Sequence, residues 1–132
     1  MLCRVADICE QHYQADALAQ ACRSLSDRIH TAISQHAIVE HSKYGEVYAY
    51  EVDGFGSHLL MDDANVPSLL ALPYLGFCSI EDPIYQNTRR LILSEDNPYF
   101  FKDGAIEGIG SPHTGLGQIW PMSVILRAMT TS

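Results

Sequence analysis

The spacing of apolar positions predicts helix over residues 2–37. Apolar residues recur there at intervals of three and four, which is the period of a helix with one buried stripe. They are Ala15, Leu18, Ala19, Cys22, Leu25, Ile29, Ala32 and Ile33. A shorter apolar pattern precedes them, and the polar segment QHYQAD between the two predicts a break into two helices.

The pattern changes after residue 37, where β-branched and aromatic residues flank the turn-like segment HSKYGE. This arrangement predicts a small β-hairpin. Three short helices are predicted further on: Val66 to Leu75, Pro83 to Leu93 with Asp82 as its cap, and Ile119 to Met129. The glycine-rich stretch between the last two predicts a long irregular loop with one strand pair around YFFKDGAIEG.

Composition predicts one folded domain, because 47% of the 132 residues are hydrophobic. The formal net charge is −8, from 16 acidic and 8 basic residues. That charge argues against nucleic acid as a partner, since phosphates require cationic contacts, and it disfavours an anionic membrane surface. No signal-peptide or membrane-spanning pattern is present, so a cytoplasmic location is expected if Met1 is the true start.

The four cysteines are Cys3, Cys9, Cys22 and Cys78. Their spacing matches no metal-binding motif, and they are too sparse for a disulfide scaffold. We therefore expect mostly buried free thiols, because a free cysteine behaves as a small apolar residue.

The segment Asp62-Asp63-Ala64-Asn65 is the strongest candidate for a functional site. Asp63 or Asn65 could cap the predicted helix that contains Pro67, but capping requires only one such residue. Carboxylates and amides also form several hydrogen bonds to vicinal sugar hydroxyls, and carboxylates can cleave glycosidic bonds. A divalent metal is a weaker third interpretation, since no further ligand stands at a fixed spacing.

Three other groups are weaker candidates for a functional site. His113 lies in the glycine-rich loop GSPHTG, either as an exposed loop residue or as a hydrogen-bonding partner of a substrate. Trp120 could stack on a pyranose ring or pack in the core. Glu51 and Asp53 are either turn acids or part of a site.

Three segments together resemble glycoside hydrolase family 125: YAYEVDGFGSHLLMDDANVPSLLALPYLGF, YQNTRRLILSEDNPYFF and GIGSPHTGLGQIWPMSVILRAMT. The resemblance is strong from Ile38 to Thr131, and the segment GQIWP is similar to the fungal branch. Members of this family are exo-acting α-1,6-mannosidases. The resemblance implies a mainly α fold, an (α/α)6 barrel with small β-hairpins in its loops, and an α-mannoside glycan as the partner.

The resemblance also implies an inverting mechanism without a metal or other cofactor, in which one acid protonates the leaving oxygen and a base activates water. The family's proton donor is expected upstream of this sequence and its base downstream. Residues 1–132 are therefore expected to form about a third of a single catalytic domain, inactive alone. Asp62, Asp63, Asn65 and His113 match the middle of the family pattern, which implies that they bind substrate and are not the catalytic acid and base.

Two alternatives remain open at the level of sequence. Asp62 or Asp63 could itself be the acid or the base. The chain could also be a non-catalytic helical module, derived from the same fold, that binds glycan or a partner chain.

Overall fold

A computed structural model describes residues 1–131, which form two compact units, Met1–His36 and the residues from Ala37 onward. Within these residues the chain forms four α-helices and three two-stranded antiparallel hairpins. The prediction of a mainly helical chain with small hairpins is confirmed. No helix within the described part combines the length and the apolar character that a bilayer span requires.

The first unit is a pair of helices, α1 (Leu2–Tyr13) and α2 (Asp16–His36). The predicted break falls between them, where Gln14 adopts a left-handed backbone conformation with a φ of 51°. The backbone N–H of Ala15 donates to the carbonyl of Cys9 at 3.0 Å and closes the end of α1.

Small side chains form the core of this helix pair. They are Ala6, Cys9, Ala19 and Cys22, with Leu2 and Ala15 packed against them. All four cysteines of the chain are free, but only Cys9 and Cys22 are buried, whereas Cys78 is half-buried and Cys3 is exposed. The prediction of mostly buried thiols is therefore right for only two of them.

The second unit begins with the predicted hairpin, formed by β1 (Ile38–His41) and β2 (Gly45–Tyr48). A second hairpin, which the sequence analysis did not predict, pairs β3 (Glu51–Val52) with β4 (His58–Leu59). The predicted strand pair near YFFKDGAIEG is confirmed.

That third hairpin consists of β5 (Phe100–Asp103) and β6 (Ile106–Ile109). The two helices of this unit are α3 (Pro83–Ile92) and α4 (Pro121–Met129), close to their predicted bounds. Asp82 caps α3 as predicted, because its carboxylate accepts the backbone N–H of Tyr85 at 2.8 Å.

The predicted helix from Val66 to Leu75 is wrong, since the segment forms a series of turns. Backbone bonds of the i to i+3 type join Ser68 to Ala71 and Leu69 to Leu72. Pro73 accounts for part of the difference, because a proline inside a helix lacks the N–H and its ring clashes with the carbonyl four residues earlier. The other cause is Asp62, whose side chain binds backbone N–H groups of this segment.

Candidate functional site

The Asp62 side chain is fully buried and organises the turns that follow it. One carboxylate oxygen accepts the backbone N–H of Leu69 at 2.8 Å, and the other accepts that of Leu70 at 3.0 Å. The capping role expected of Asp63 or Asn65 is therefore corrected: Asp62 binds the backbone N–H groups, and a set of turns stands in place of the helix. The carboxylate fixes the path of the chain immediately behind the acidic pair.

Burial has a second effect on Asp62, because removing a carboxylate from water disfavours its charged form. Burial raises the pKa of Asp62 from 3.8 to about 7, although the hydrogen bonds from Leu69 and Leu70 act in the opposite direction. At neutral pH the group therefore lies near its midpoint of titration.

Asp63 is 3% exposed and turns toward Asn65. Its Oδ1 accepts the backbone N–H of Asn65 at 2.9 Å and the side-chain Nδ2 of Asn65 at 3.1 Å. The same Nδ2 donates to the Ser111 hydroxyl at 3.3 Å. A carboxylate, an amide and a hydroxyl thus form one continuous polar group.

Ser111 joins this group to the loop that contains His113. Its hydroxyl oxygen accepts the backbone N–H of His113 at 3.2 Å. His113 itself is exposed. One residue earlier, the carbonyl of Gly110 accepts the backbone N–H of Ala64 at 3.0 Å. The structure therefore brings together the two segments that the sequence analysis singled out, which are separated by more than 40 residues in the chain.

Gly110 is required where the two segments meet, because there is no space for a side chain. A Cβ atom at this position would overlap the carbonyl oxygen of Gln118 and would lie 2.7 Å from Cε2 of Phe101. The Gln118 backbone and the Phe101 ring cannot move far enough to make room for such an atom. The glycine therefore permits the close packing of this segment against Gln118 and Phe101.

Sequence reasoning missed two residues at this site. Asn97 is 1% exposed, and its Oδ1 accepts the backbone N–H of Asp62 at 3.2 Å. The second residue is Tyr50. Burial, and after it the negative charges of Asp63 and Asp62, raise the pKa of its phenol. The only signal for Asn97 in the sequence is the dipeptide Asn-Pro, which indicates a turn and nothing about its partner.

The acids of the second hairpin, Glu51 and Asp53, are exposed. Oδ1 of Asp53 accepts the backbone N–H of Phe55 at 2.7 Å and that of Ser57 at 3.0 Å, and the first of these bonds is the main reason for its lowered pKa. These contacts fit the interpretation of Asp53 as a turn residue. Trp120 is half-buried at the start of α4.

Acceptors and donors of the kinds that bind sugar hydroxyls lie close together here. Asp62, Asp63 and Ser111 are buried, Asn65 is half-buried and His113 is exposed. Among residues 1–131, no three His, Cys, Asp or Glu side chains are placed to hold a metal ion.

Comparison with known proteins gives a family that spans the whole chain. The family model of glycoside hydrolase family 125 (GH125), described as metal-independent alpha-mannosidase, matches residues 1–132. A Schizosaccharomyces pombe protein, the Meiotically up-regulated gene 157 protein, is 56% identical over an alignment of 125 residues that covers 92% of this chain and 25% of that protein.

A solved structure from Streptococcus pneumoniae is 42% identical and has a TM-score of 0.92 over 98% of this chain. It is described as one of a family of metal-independent alpha mannosidases, in a non-productive substrate complex with alpha-1,6-mannobiose. The present chain spans about a third of that protein (31%) and a quarter of the fission yeast relative. A match over the full chain at this similarity leaves one assignment: the chain belongs to the GH125 family of metal-independent α-mannosidases.

Proposed function

We propose that this chain is part of an inverting exo-α-1,6-mannosidase that removes terminal mannose from glycans. Family membership supports the reaction class, and the α-1,6-mannobiose bound by the S. pneumoniae relative supports the linkage. The observation that carries the proposal is the hydrogen-bonded meeting of the Asp63–Asn65 turn with the Gly110–Ser111 loop. These are the segments that carry the family resemblance.

In this proposal, residues 1–132 form about a third of a single catalytic domain, an (α/α)6 barrel. The share of the S. pneumoniae chain that is matched, 31%, supports that fraction. Helices joined by hairpins and long loops are the expected components of such a barrel, because its loops build the pocket at one end.

We assign Asp62, Asp63, Asn65 and His113 to the pocket for the terminal mannose. Asp63 and Asn65 supply acceptor and donor groups, and the exposed His113 supplies the imidazole. Asp62 lies beneath them, where its bonds to Leu69 and Leu70 hold the turn in place.

The chemical step then depends on two carboxyl groups outside this chain. In an inverting glycosidase, one carboxylic acid protonates the leaving oxygen and a carboxylate activates a water molecule on the opposite face of the sugar. The residues of this chain hold the mannose so that its anomeric carbon lies between those two groups. The isolated chain is accordingly expected to be inactive.

Replacing Asp63 tests the pocket assignment. We expect Asp63→Asn, made in a full-length family member that keeps this residue, to raise KM for α-1,6-mannobiose by about tenfold or more, because a charged acceptor is lost from the sugar. The turnover number kcat should change much less, since binding and not chemistry is affected. Steady-state kinetics measure both.

Asp103→Asn is the matched control, because it removes the same charge from an exposed position at the end of β5. It should leave KM and kcat unchanged. A collapse of kcat in Asp63→Asn with KM retained would contradict the proposal and identify Asp63 as the catalytic acid or base. Unchanged kinetics in that variant would remove Asp63 from the pocket.

A further inference from the structure

The side chain of Asn97, in the turn after α3, uses its full hydrogen-bonding capacity on backbone groups. Its Oδ1 accepts the N–H of Asp62 at 3.2 Å and the N–H of Tyr99 at 3.1 Å. Its Nδ2 donates to the carbonyl of Ile92 at 3.0 Å and, more weakly, to the carbonyl of Asp62 at 3.4 Å. An amide offers two donor hydrogens and two lone pairs, so every position is occupied.

Two of these four bonds go to one residue, Asp62, through both its N–H and its carbonyl. The Asn97 amide thus pairs with both backbone groups of Asp62, as a neighbouring strand pairs with a residue in a β-sheet. It fixes the backbone immediately before Asp63. The carbonyl of Ile92 anchors the amide to the last turn of α3.

The bond to Tyr99 extends this connection to the other half of the site. The carbonyl of Tyr99 accepts the N–H of Gly110 at 2.8 Å, and the carbonyl of Gly110 accepts the N–H of Ala64 at 3.0 Å. The path runs from Asp62 through Asn97 and Tyr99 to Gly110 and returns to the chain at Ala64. Its two ends are the residues on either side of Asp63.

We infer that Asn97 is a positioning residue of the mannose pocket, which holds the Asp62–Asp63 turn and the Gly110–Ser111 loop in register. The inference rests on the proposed function, because register matters only if these segments contact the sugar. Asn97 is 1% exposed and acts through Asp63, without touching substrate. Its removal leaves the buried N–H and carbonyl of Asp62 without partners, so the backbone that carries Asp63 is displaced.

The test uses Asn97→Ala in a full-length family member that keeps this residue, assayed well below its melting temperature. We expect KM for α-1,6-mannobiose to rise by about tenfold, with kcat changed by less than about threefold. Asn97→Ser is the second variant, because its hydroxyl keeps a donor and an acceptor without adding a charge at this buried position but cannot span all four partners. It keeps the comparison available if Asn97→Ala does not fold.

Thr88→Val is the matched control for a purely structural effect. Thr88 is also fully buried, and its hydroxyl accepts the N–H of Tyr48 at 2.8 Å and donates to the carbonyl of Ile84 at 2.7 Å. The first bond joins β2 to α3, the second lies within α3, and neither involves a pocket residue. The variant should lower the melting temperature and leave KM unchanged.

A double-mutant cycle with Asp63→Asn separates positioning from general loss of stability. If Asn97 acts through Asp63, Asn97→Ala should change KM by less than about threefold once Asp63 has been replaced. The inference is overturned if both Asn97 variants keep the parent KM while Asp63→Asn raises it, or if the two effects multiply in full. If Asp63→Asn itself leaves KM unchanged, the pocket assignment fails and this inference falls with it.

Discussion

Asp62 and Asp63 are adjacent in the chain, but their side chains have different partners. Asp62 binds the backbone N–H groups of Leu69 and Leu70, whereas Asp63 binds Asn65, which in turn contacts Ser111. One acid shapes the turn, and the other belongs to the polar group formed with Asn65 and Ser111. The division explains why the sequence carries two carboxylates where a cap would need one.

The raised pKa of Asp62 predicts a specific dependence of stability on pH. Burial moves its pKa from 3.8 in the unfolded chain to about 7 in the folded protein. A raised folded pKa contributes stability that is fully present below pH 3.8 and is lost as pH rises through 7. Asp62→Asn carries no titrating group, so its melting temperature relative to the parent should rise between pH 4.5 and pH 8.

Asp96→Asn serves as the control for this measurement. Asp96 is exposed, and its pKa is lowered chiefly by a hydrogen bond from Lys43. A lowered pKa gives the opposite sign, with stability lost only as pH falls below the ordinary range of an aspartate. Its difference from the parent should therefore stay flat from pH 4.5 to 8, and a flat difference for Asp62→Asn would contradict the buried, titrating carboxyl.

At the residue scale, the sequence located the acidic pair but not the partners of its members. Asp63, Asn65 and Ser111 stand in two motifs that the family resemblance includes, but their hydrogen bonds form only in the folded chain. The role of Asn97 could not be predicted either. Its four partners are backbone groups, which every residue carries, so the sequence does not identify them.

At the scale of elements, prediction succeeded where local signals decide the structure. The start of α3 combines an Asp cap with a proline at the first helical position, and both are recognisable in sequence. The segment from Val66 to Leu75 was predicted to be helical too. The carboxylate of Asp62, seven residues before Leu69, instead binds the backbone N–H groups of Leu69 and Leu70. A tertiary contact of this kind overrides local preference.

The cap of α3 gives a testable prediction at this scale. Asp82→Ala removes the acceptor for the N–H of Tyr85, which lies 2.8 Å away, and should lower the free energy of unfolding by about 1 kcal/mol. Asp82→Asn keeps a capping oxygen and should cost much less. Denaturant titration of both variants provides the measurement, and equal losses would show that the cap bond does not stabilise the helix.

For the whole molecule, the resemblance of three motifs to GH125 in the sequence is confirmed by the family match over residues 1–132. The sequence did not reveal the division into two compact units, with Ala6, Cys9, Ala19 and Cys22 forming the core of the first. Its helical spacing predicts a buried stripe for each helix, but spacing does not specify which neighbour covers it.

We propose that this chain holds the mannose while the acid and base lie outside it. The most direct measurement is an assay of residues 1–132 alone on α-1,6-mannobiose, beside a full-length family member, after circular dichroism has verified the helices. We expect turnover by the full-length enzyme and none by the isolated chain, because no inverting hydrolysis proceeds without both carboxyl groups. Robust turnover by the isolated chain would contradict the proposal and would place the catalytic pair within these residues.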